Sequence, residues 1–404
     1  MMMFDLLPED LVEEILSRVQ RRCLRAVRST CKRWNCLSKN RILCKGEARQ
    51  EYLGIMVKES KVFSKSYDLH GIQNKEHVVT PSIKQIKKFS KLEISQVFHC
   101  DGLLLLVGKE VNNNTRLIVW NPYMSQIRYI QPRTNYDLSD VYALGYDNKG
   151  NHKILMMSRY GYEIFDFKSN SWKVLDDVHH SDIMCHDQSV SLKGNTYFYR
   201  RKVEGLKVIT GTRFFVCFDF TRERFGPCFP LPSNFNVKGT VYVTLSSIRE
   251  EQLASLCIHW YTYTVEIQVT TKIEQNEVLW RKFLTVDISD FYSKIFTGSF
   301  FIDQEKKLAV IFARSIFKGS LQSIAYITGE NGLLRQVDLG ADASSVKTLM
   351  CSYVLSLVQI NQGLEVEVSP KGQKKRSNLS TSLFYSTLFV ILIIFFSFIF
   401  SVLY

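Results

Sequence analysis

The strongest constraint in this sequence is a hairpin that keeps returning. LIVWNPYMSQIRYI (117–130), YEIFDFKSNSWKVL (162–175) and FFVCFDFTRERFGPC (214–228) each run a β-rich stretch into a polar turn, then an aromatic or apolar residue and a second β-rich stretch. Looser copies stand at 265–284 and 324–339. With Asn121, Asp166, Asp219, Thr271 and Gly329 as turn markers, the intervals are 45, 53, 52 and 58 residues. A second hairpin type lies between them, at 142–157, 190–200 and 300–312. Two hairpins per period make a four-stranded unit, and four strands every ~45–55 residues is the repeat of a β-propeller blade. A blade alone cannot bury both of its faces, but stacking around an axis solves that. A β-sandwich also uses many short strands; repetition of one turn-plus-aromatic device favours the propeller. The aromatics of that device, Trp120, Trp172, Phe225 and Trp280, are expected to pack blades rather than to touch a partner.

The two ends of the chain read differently. Over residues 1–50, Leu11, Ile15, Leu16 and Val19 recur at helical spacing, and a second segment carries Leu24, Val27, Cys31, Trp34 and Leu37. Pro8 suits a first helical position, and Glu9, Asp10, Glu13 and Glu14 complement the positive end of the helix dipole. Helices this short bury little by themselves, so their apolar face predicts a partner. Residues 51–93 are Lys-rich with weak periodicity and are expected to form a linker, with a first strand at 52–57. The β domain is expected over 94–362, followed by a basic polar linker over 363–382. Residues 383–404 carry no charge and follow KGQKKR (371–376). As a helix of ~1.5 Å rise per residue that stretch matches a bilayer core, with a basic flank expected on the cytosolic side. The acidic N-terminus lacks a signal-peptide pattern. The expectation is a cytosol-facing, tail-anchored protein, or a cytoplasmic or nuclear one if the tail is not inserted.

Charge and motifs narrow the chemistry. The net charge of +13 is concentrated in residues 1–93 and 371–376, leaving 94–370 nearly neutral. A nucleic-acid-binding domain concentrates positive charge on its own face, so no nucleic-acid partner is expected. Ten cysteines include no CxxC and read as reduced thiols. His179, His180, Cys185 and His186 are four possible metal ligands in eight residues, but the spacing fits no standard zinc pattern. No HExxH, GxSxG or P-loop occurs. Hence no catalytic residue, metal or cofactor is expected.

LPEDLVEEILSRV (7–19) followed by LRAVRSTCKRWNCL (24–37) resembles an F-box, the helical unit that docks on the Skp adaptor of SCF ubiquitin ligases. The resemblance makes Leu7, Pro8, Leu11, Ile15, Leu16, Val19, Leu24, Val27, Cys31, Trp34 and Leu37 the adaptor-binding candidates. Gln20 stands where the family often has proline. CDGLLLL (100–106), VWNP (119–122), YALGYD (142–147), VSLKGNTYF (190–198) and GSFFIDQEKK (298–307) resemble the type 1 F-box-associated domain of plant F-box proteins. Members usually carry a tryptophan shortly after the SNSW hairpin, where this chain reads HHSDIMCHDQ (179–188). The fold this implies is mainly β: a small N-terminal α domain of F-box helices, a β-propeller-like (kelch-like) domain and a C-terminal transmembrane helix. The implied role is substrate recognition in an SCF-type ligase. The implied partners are the Skp-family adaptor, cullin and RING subunits through it, a target protein, and a membrane at the tail. A membrane-tethered propeller scaffold with no ligase role is the alternative.

Overall fold

The β-rich runs alternate apolar residues to both sides, and the fold uses both. In the computed structural model the described residues lie between 52 and 360, excluding 59, 68–81, 90–91, 111–113, 134–139, 159, 176–182, 203–212, 233–240, 249–250, 260, 275–276, 289–295, 318–319, 331, 342–348, 354–355 and 357. They belong to one unit, Glu51–Gly363, and contain six four-stranded antiparallel sheets. The first blade holds β4 (Leu92–Cys100), β5 (Leu103–Glu110), β6 (Thr115–Asn121) and β7 (Gln126–Ile130). The second holds β8 (Val141–Tyr146), β9 (His152–Ser158), β10 (Gly161–Asp166) and β11 (Ser171–Leu175). The third holds β12 (Ile183–Leu192), β13 (Asn195–Lys202), β14 (Arg213–Asp219) and β15 (Arg224–Pro230). The fourth holds β16 (Val241–Ile248), β17 (Gln252–His259), β18 (Thr264–Ile273) and β19 (Val278–Asp287). The fifth holds β20 (Phe296–Asp303), β21 (Leu308–Phe317), β22 (Ser320–Gly329) and β23 (Gly332–Ala341).

The closing blade is made from both ends of the unit. β1 (Tyr52–Lys58), β2 (Lys61–Tyr67) and β3 (Ser82–Lys88) pair in order, and β24 (Leu349–Tyr353) adds inside β1 with Ile55 opposite Cys351. The strands β4, β8, β12, β16, β20 and β24 neighbour one another in sequence order and close a ring. This is a six-bladed β-propeller. The expected linker at 51–93 is therefore corrected: it supplies three strands of a blade, and the β domain begins at Tyr52 rather than near 94. The helices expected over 1–50 and the span expected at 383–404 lie outside the described residues. Among the described residues no helix is long and apolar enough to cross a membrane.

Side-chain alternation builds the seams between blades. On β5, Leu103, Leu105 and Val107 face the second blade, while Leu104 and Leu106 face the closing blade. On β9, Ile154 and Met156 face the first blade, and Leu155 and Met157 face the third. A strand buried on both faces needs a near-continuous apolar run, which is why LLLLV reads as it does. Each such leucine stabilises by about 1.5–3 kcal/mol. Turn chemistry fixes the register. Asp101 and Gly102 take φ of 48° and 72°, the mirror-image turn that suits a tight hairpin. In the outer hairpins an acceptor side chain caps the turn: Asn121 Oδ1 accepts from the Tyr123 and Met124 amides, Asp166 Oδ1 from Lys168 and Ser169, and Asp219 Oδ1 from Thr221 and Arg222. Ser125, Asn170 and Glu223 then take positive φ before the outer strand begins. The marker Thr271 is corrected: it lies inside β18, whose turn follows Ile273.

Candidate functional site

Because successive strands are antiparallel, the propeller has two faces of different make-up. One carries the turns from first to second strand and from third to fourth. The other carries the loops from second to third strand and the connections between blades. The Asn148 amide donates to Thr221 Oγ1 at 2.9 Å, joining two turns of the first face. On the opposite face the Ile288 amide donates to the Tyr263 carbonyl at 2.7 Å. The described unit begins at Tyr52 and ends after Tyr353, and both points are on the first face.

The first face is cross-linked. Lys153 on β9 is buried between the second and third blades. Its Nζ lies 2.8 Å from Glu223 Oε1, 3.2 Å from the Phe220 carbonyl and 3.7 Å from Asp147 Oδ2. Lys173 on β11 meets the other Glu223 oxygen at 3.0 Å. Burial pushes the Glu223 carboxyl up, but the hydrogen bonds and charges of Lys153 and Lys173 outweigh it and hold the group below its usual range. Asp147 is likewise pushed up by burial and pulled down further, by hydrogen bonds from Asn151 and Lys149 and the charge of Lys153. His152 is buried against Tyr146 and Phe167, with Asp101 Oδ2 at 3.8 Å; burial holds its imidazole down to about 4, against the opposing pull of Asp147. Asn121 Nδ2 donates to the carbonyls of Ser356 and Val358, at 3.2 and 2.7 Å, anchoring the segment beyond β24.

Among the described residues the opposite face carries exposed aromatic side chains. Tyr160, in the β9–β10 loop, is 87% exposed and Tyr261, in the β17–β18 loop, 78%. Tyr263 and Tyr242, the latter at the start of the inner strand β16, are also exposed. Tyrosine offers a large rigid contact surface with a polar tip at small entropic cost, which suits protein recognition.

The hairpin aromatics pack, as expected. Trp120 is buried edge-on against Phe89, with ring centroids 5.6 Å apart. Trp172 Nε1 donates to the Gln131 carbonyl of the first blade at 2.9 Å, and Trp280 Nε1 to the Pro230 carbonyl of the third at 3.3 Å. Phe225 packs between Phe218 and Phe198. Trp172, Phe225 and Trp280 thus anchor outer strands, and Trp120 anchors β6.

The eleven adaptor-binding candidates, Leu7 to Leu37, lie outside the described residues, as do His179 and His180. Cys185 and His186 lie on β12, and no group of three or more metal-ligating side chains stands together among the described residues. Sequence reasoning missed the Lys153–Glu223 pair, which joins residues 70 positions apart, and gave no signal for it.

The two segments correspond to two known family models. Residues 53–360 match the F-box associated beta propeller domain, and residues 4–46 match the F-box domain. The chain belongs to the F-box proteins with an F-box-associated propeller. A relative from Arabidopsis thaliana that carries an F-box name is 53% identical over 100% of this chain and 99% of its own. An F-box/kelch-repeat protein from the same plant is 46% identical over 92% of this chain and 98% of its own. Among solved structures, TolB from Acinetobacter baumannii aligns at a TM-score of 0.43 and 11% identity, over 75% of this chain and 66% of that one. That likeness carries no functional argument.

Proposed function

We propose that this F-box protein is the substrate-recognition subunit of an SCF-type ubiquitin ligase. The observation that carries the reading is the pairing, in one chain, of an F-box over 4–46 with a propeller over 53–360. The F-box docks the Skp adaptor, and through it the cullin and RING subunits. The propeller binds the target with the face that carries Tyr160 and Tyr261, opposite the face where the described chain begins and ends. The receptor needs no catalytic residue: holding a target lysine near the charged conjugating enzyme makes the transfer effectively intramolecular. Leu11, Ile15, Leu16 and Trp34 supply apolar surface for the adaptor, each aliphatic side chain contributing about 1.5–3 kcal/mol if fully covered. The uncharged stretch 383–404 makes this receptor cytosol-facing and tail-anchored in the same proposal.

Co-purification tests the reading. Full-length protein captures the Skp adaptor at micromolar concentration, and Leu11→Asp with Ile15→Asp abolishes capture. A wild-type chain that fails to capture it, or a double variant that still does, leaves only a propeller scaffold. Truncation after Arg376 releases the protein from carbonate-washed membranes; a fully soluble full-length chain removes the anchor from the proposal.

A further inference from the structure

Buried cations in this propeller are paired, with one exception among the described residues. Lys153 has its carboxylates. Arg128, 6% exposed, donates to Asn170 Oδ1 at 2.7 Å and to the Phe167 carbonyl at 3.3 Å, and lies over the Phe167 ring at 5.0 Å. Arg200 on β13 is 2% exposed and has no such partners. Its side chain lies on the face of the third blade that meets the second, with the guanidinium 5.0 Å from the centroid of the Phe198 ring. Among the described residues its only hydrogen-bond acceptor is the Met157 sulfur, at 3.5 Å from Nη2, and Nη1 has none.

Arginine cannot shed its proton to escape burial, and its planar fork matches the two oxygens of a carboxylate or phosphate. A thioether is a weak acceptor on a flexible, unbranched stem, easily exchanged for an oxyanion. An uncompensated buried charge costs several kcal/mol, a cost a fold retains when something else supplies the counter-charge. The position suits a ligand. Met157 is the penultimate residue of β9, and the loop that follows it carries the exposed Tyr160. Burial pushes the thiol of Cys228 on the outer strand β15 up, and the Arg200 charge pulls against it.

We propose that Arg200 is an oxyanion-receiving subsite of the propeller, taking an acidic group of the bound target segment, with Tyr160 at the same end of the seam. The inference rests on the reading that the propeller receives a target and adds the chemistry that target must carry: a carboxylate side chain or a phosphate ester.

The test uses the full-length chain and its thermal unfolding midpoint in glutarate, in inorganic phosphate and in chloride at matched ionic strength. Wild-type protein gains a few degrees in millimolar glutarate or phosphate over chloride; at about ten times the dissociation constant the folding equilibrium shifts about elevenfold. Arg200→Met loses that response and unfolds at a higher temperature in chloride, because a packed apolar side chain replaces an unpaired charge. Arg200→Lys keeps the charge without the fork and binds at least tenfold more weakly, which preserves the test should the methionine variant fail to fold. Response to glutarate alone identifies a carboxylate, and response to phosphate alone a phosphate ester. A wild type indifferent to both anions, or an Arg200→Met protein that still responds, overturns the assignment. The readout needs neither adaptor nor target, so its failure leaves the receptor reading standing, and failed adaptor capture leaves this result standing.

Discussion

Replacing Lys153 by methionine probes the seam between the second and third blades. The side chain of Lys153 is 7% exposed, and its loss strands Glu223 at 23% and Asp147 at 12%. Breaking a fully buried pair by removing one partner costs about 3–5 kcal/mol. Here Glu223 keeps Lys173 and part of its solvent, and methionine keeps most of the buried stem, so the expected loss is about 2–3 kcal/mol. For a unit of this size that lowers the unfolding midpoint by about 3–5 °C. Adding Glu223→Gln removes the stranded charge, and the double variant should be more stable than the sum of the single losses by about 1–2 kcal/mol. Differential scanning of the four proteins at neutral pH and low salt measures both quantities. A Lys153→Met midpoint within one degree of wild type, or strict additivity in the cycle, would show that the contacts exist without contributing stability.

Two further outcomes follow from the same region. A methyl group on Gly145 would clash with the Phe220 ring and the Gly194 carbonyl, and Phe220 has no exposure into which to retreat. Gly145→Ala should therefore lose at least about 1–3 kcal/mol by overpacking, seen as a lowered denaturant midpoint, whereas Gly150→Ala meets no neighbour and is limited by its positive φ alone. His152 titrates near 4 folded against 6.5 unfolded, so the unfolded chain binds the proton first and stability falls as pH drops from about 6.5 toward 4. The full loss is about 3 kcal/mol. Asp101, raised by burial beyond what its Ser356 hydrogen bond lowers, offsets part of this by gaining its proton in the folded state. Unfolding midpoints between pH 7 and 4 should fall less steeply in His152→Gln, and an unchanged slope would remove His152 as the cause.

The outer hairpins were legible because each is a local unit: an acceptor at the turn, a positive-φ residue and an aromatic, all within 15 residues. The buried second strands were legible because covering both faces demands runs such as LLLLV. The closing blade was not. Its outermost strand, SIKQIKK, has an exposed edge whose lysines need no apolar alternation and guard against edge-to-edge pairing. Its inner strand arrives almost 300 residues later, so no window of sequence contains the sheet. Thr271 misled because Thr-Thr-Lys reads as a turn while β18 runs through it. The ionic cross-links and the solitary Arg200 are products of tertiary placement, since charge pairs 70 residues apart leave no periodicity. The adaptor-binding candidates, Leu7 to Leu37, rest on sequence pattern and on the family resemblance.

Closing the ring with β24 inside β1 also orders events at the ribosome. The strands β1–β3 emerge first and wait for their innermost neighbour until translation has passed Tyr353, a closure whose entropic cost grows only slowly with the length of the intervening chain. A product interrupted anywhere before that point is left as an open, sticky arc. Until β24 arrives, β1 presents an unpaired edge of the kind that invites pairing with another chain.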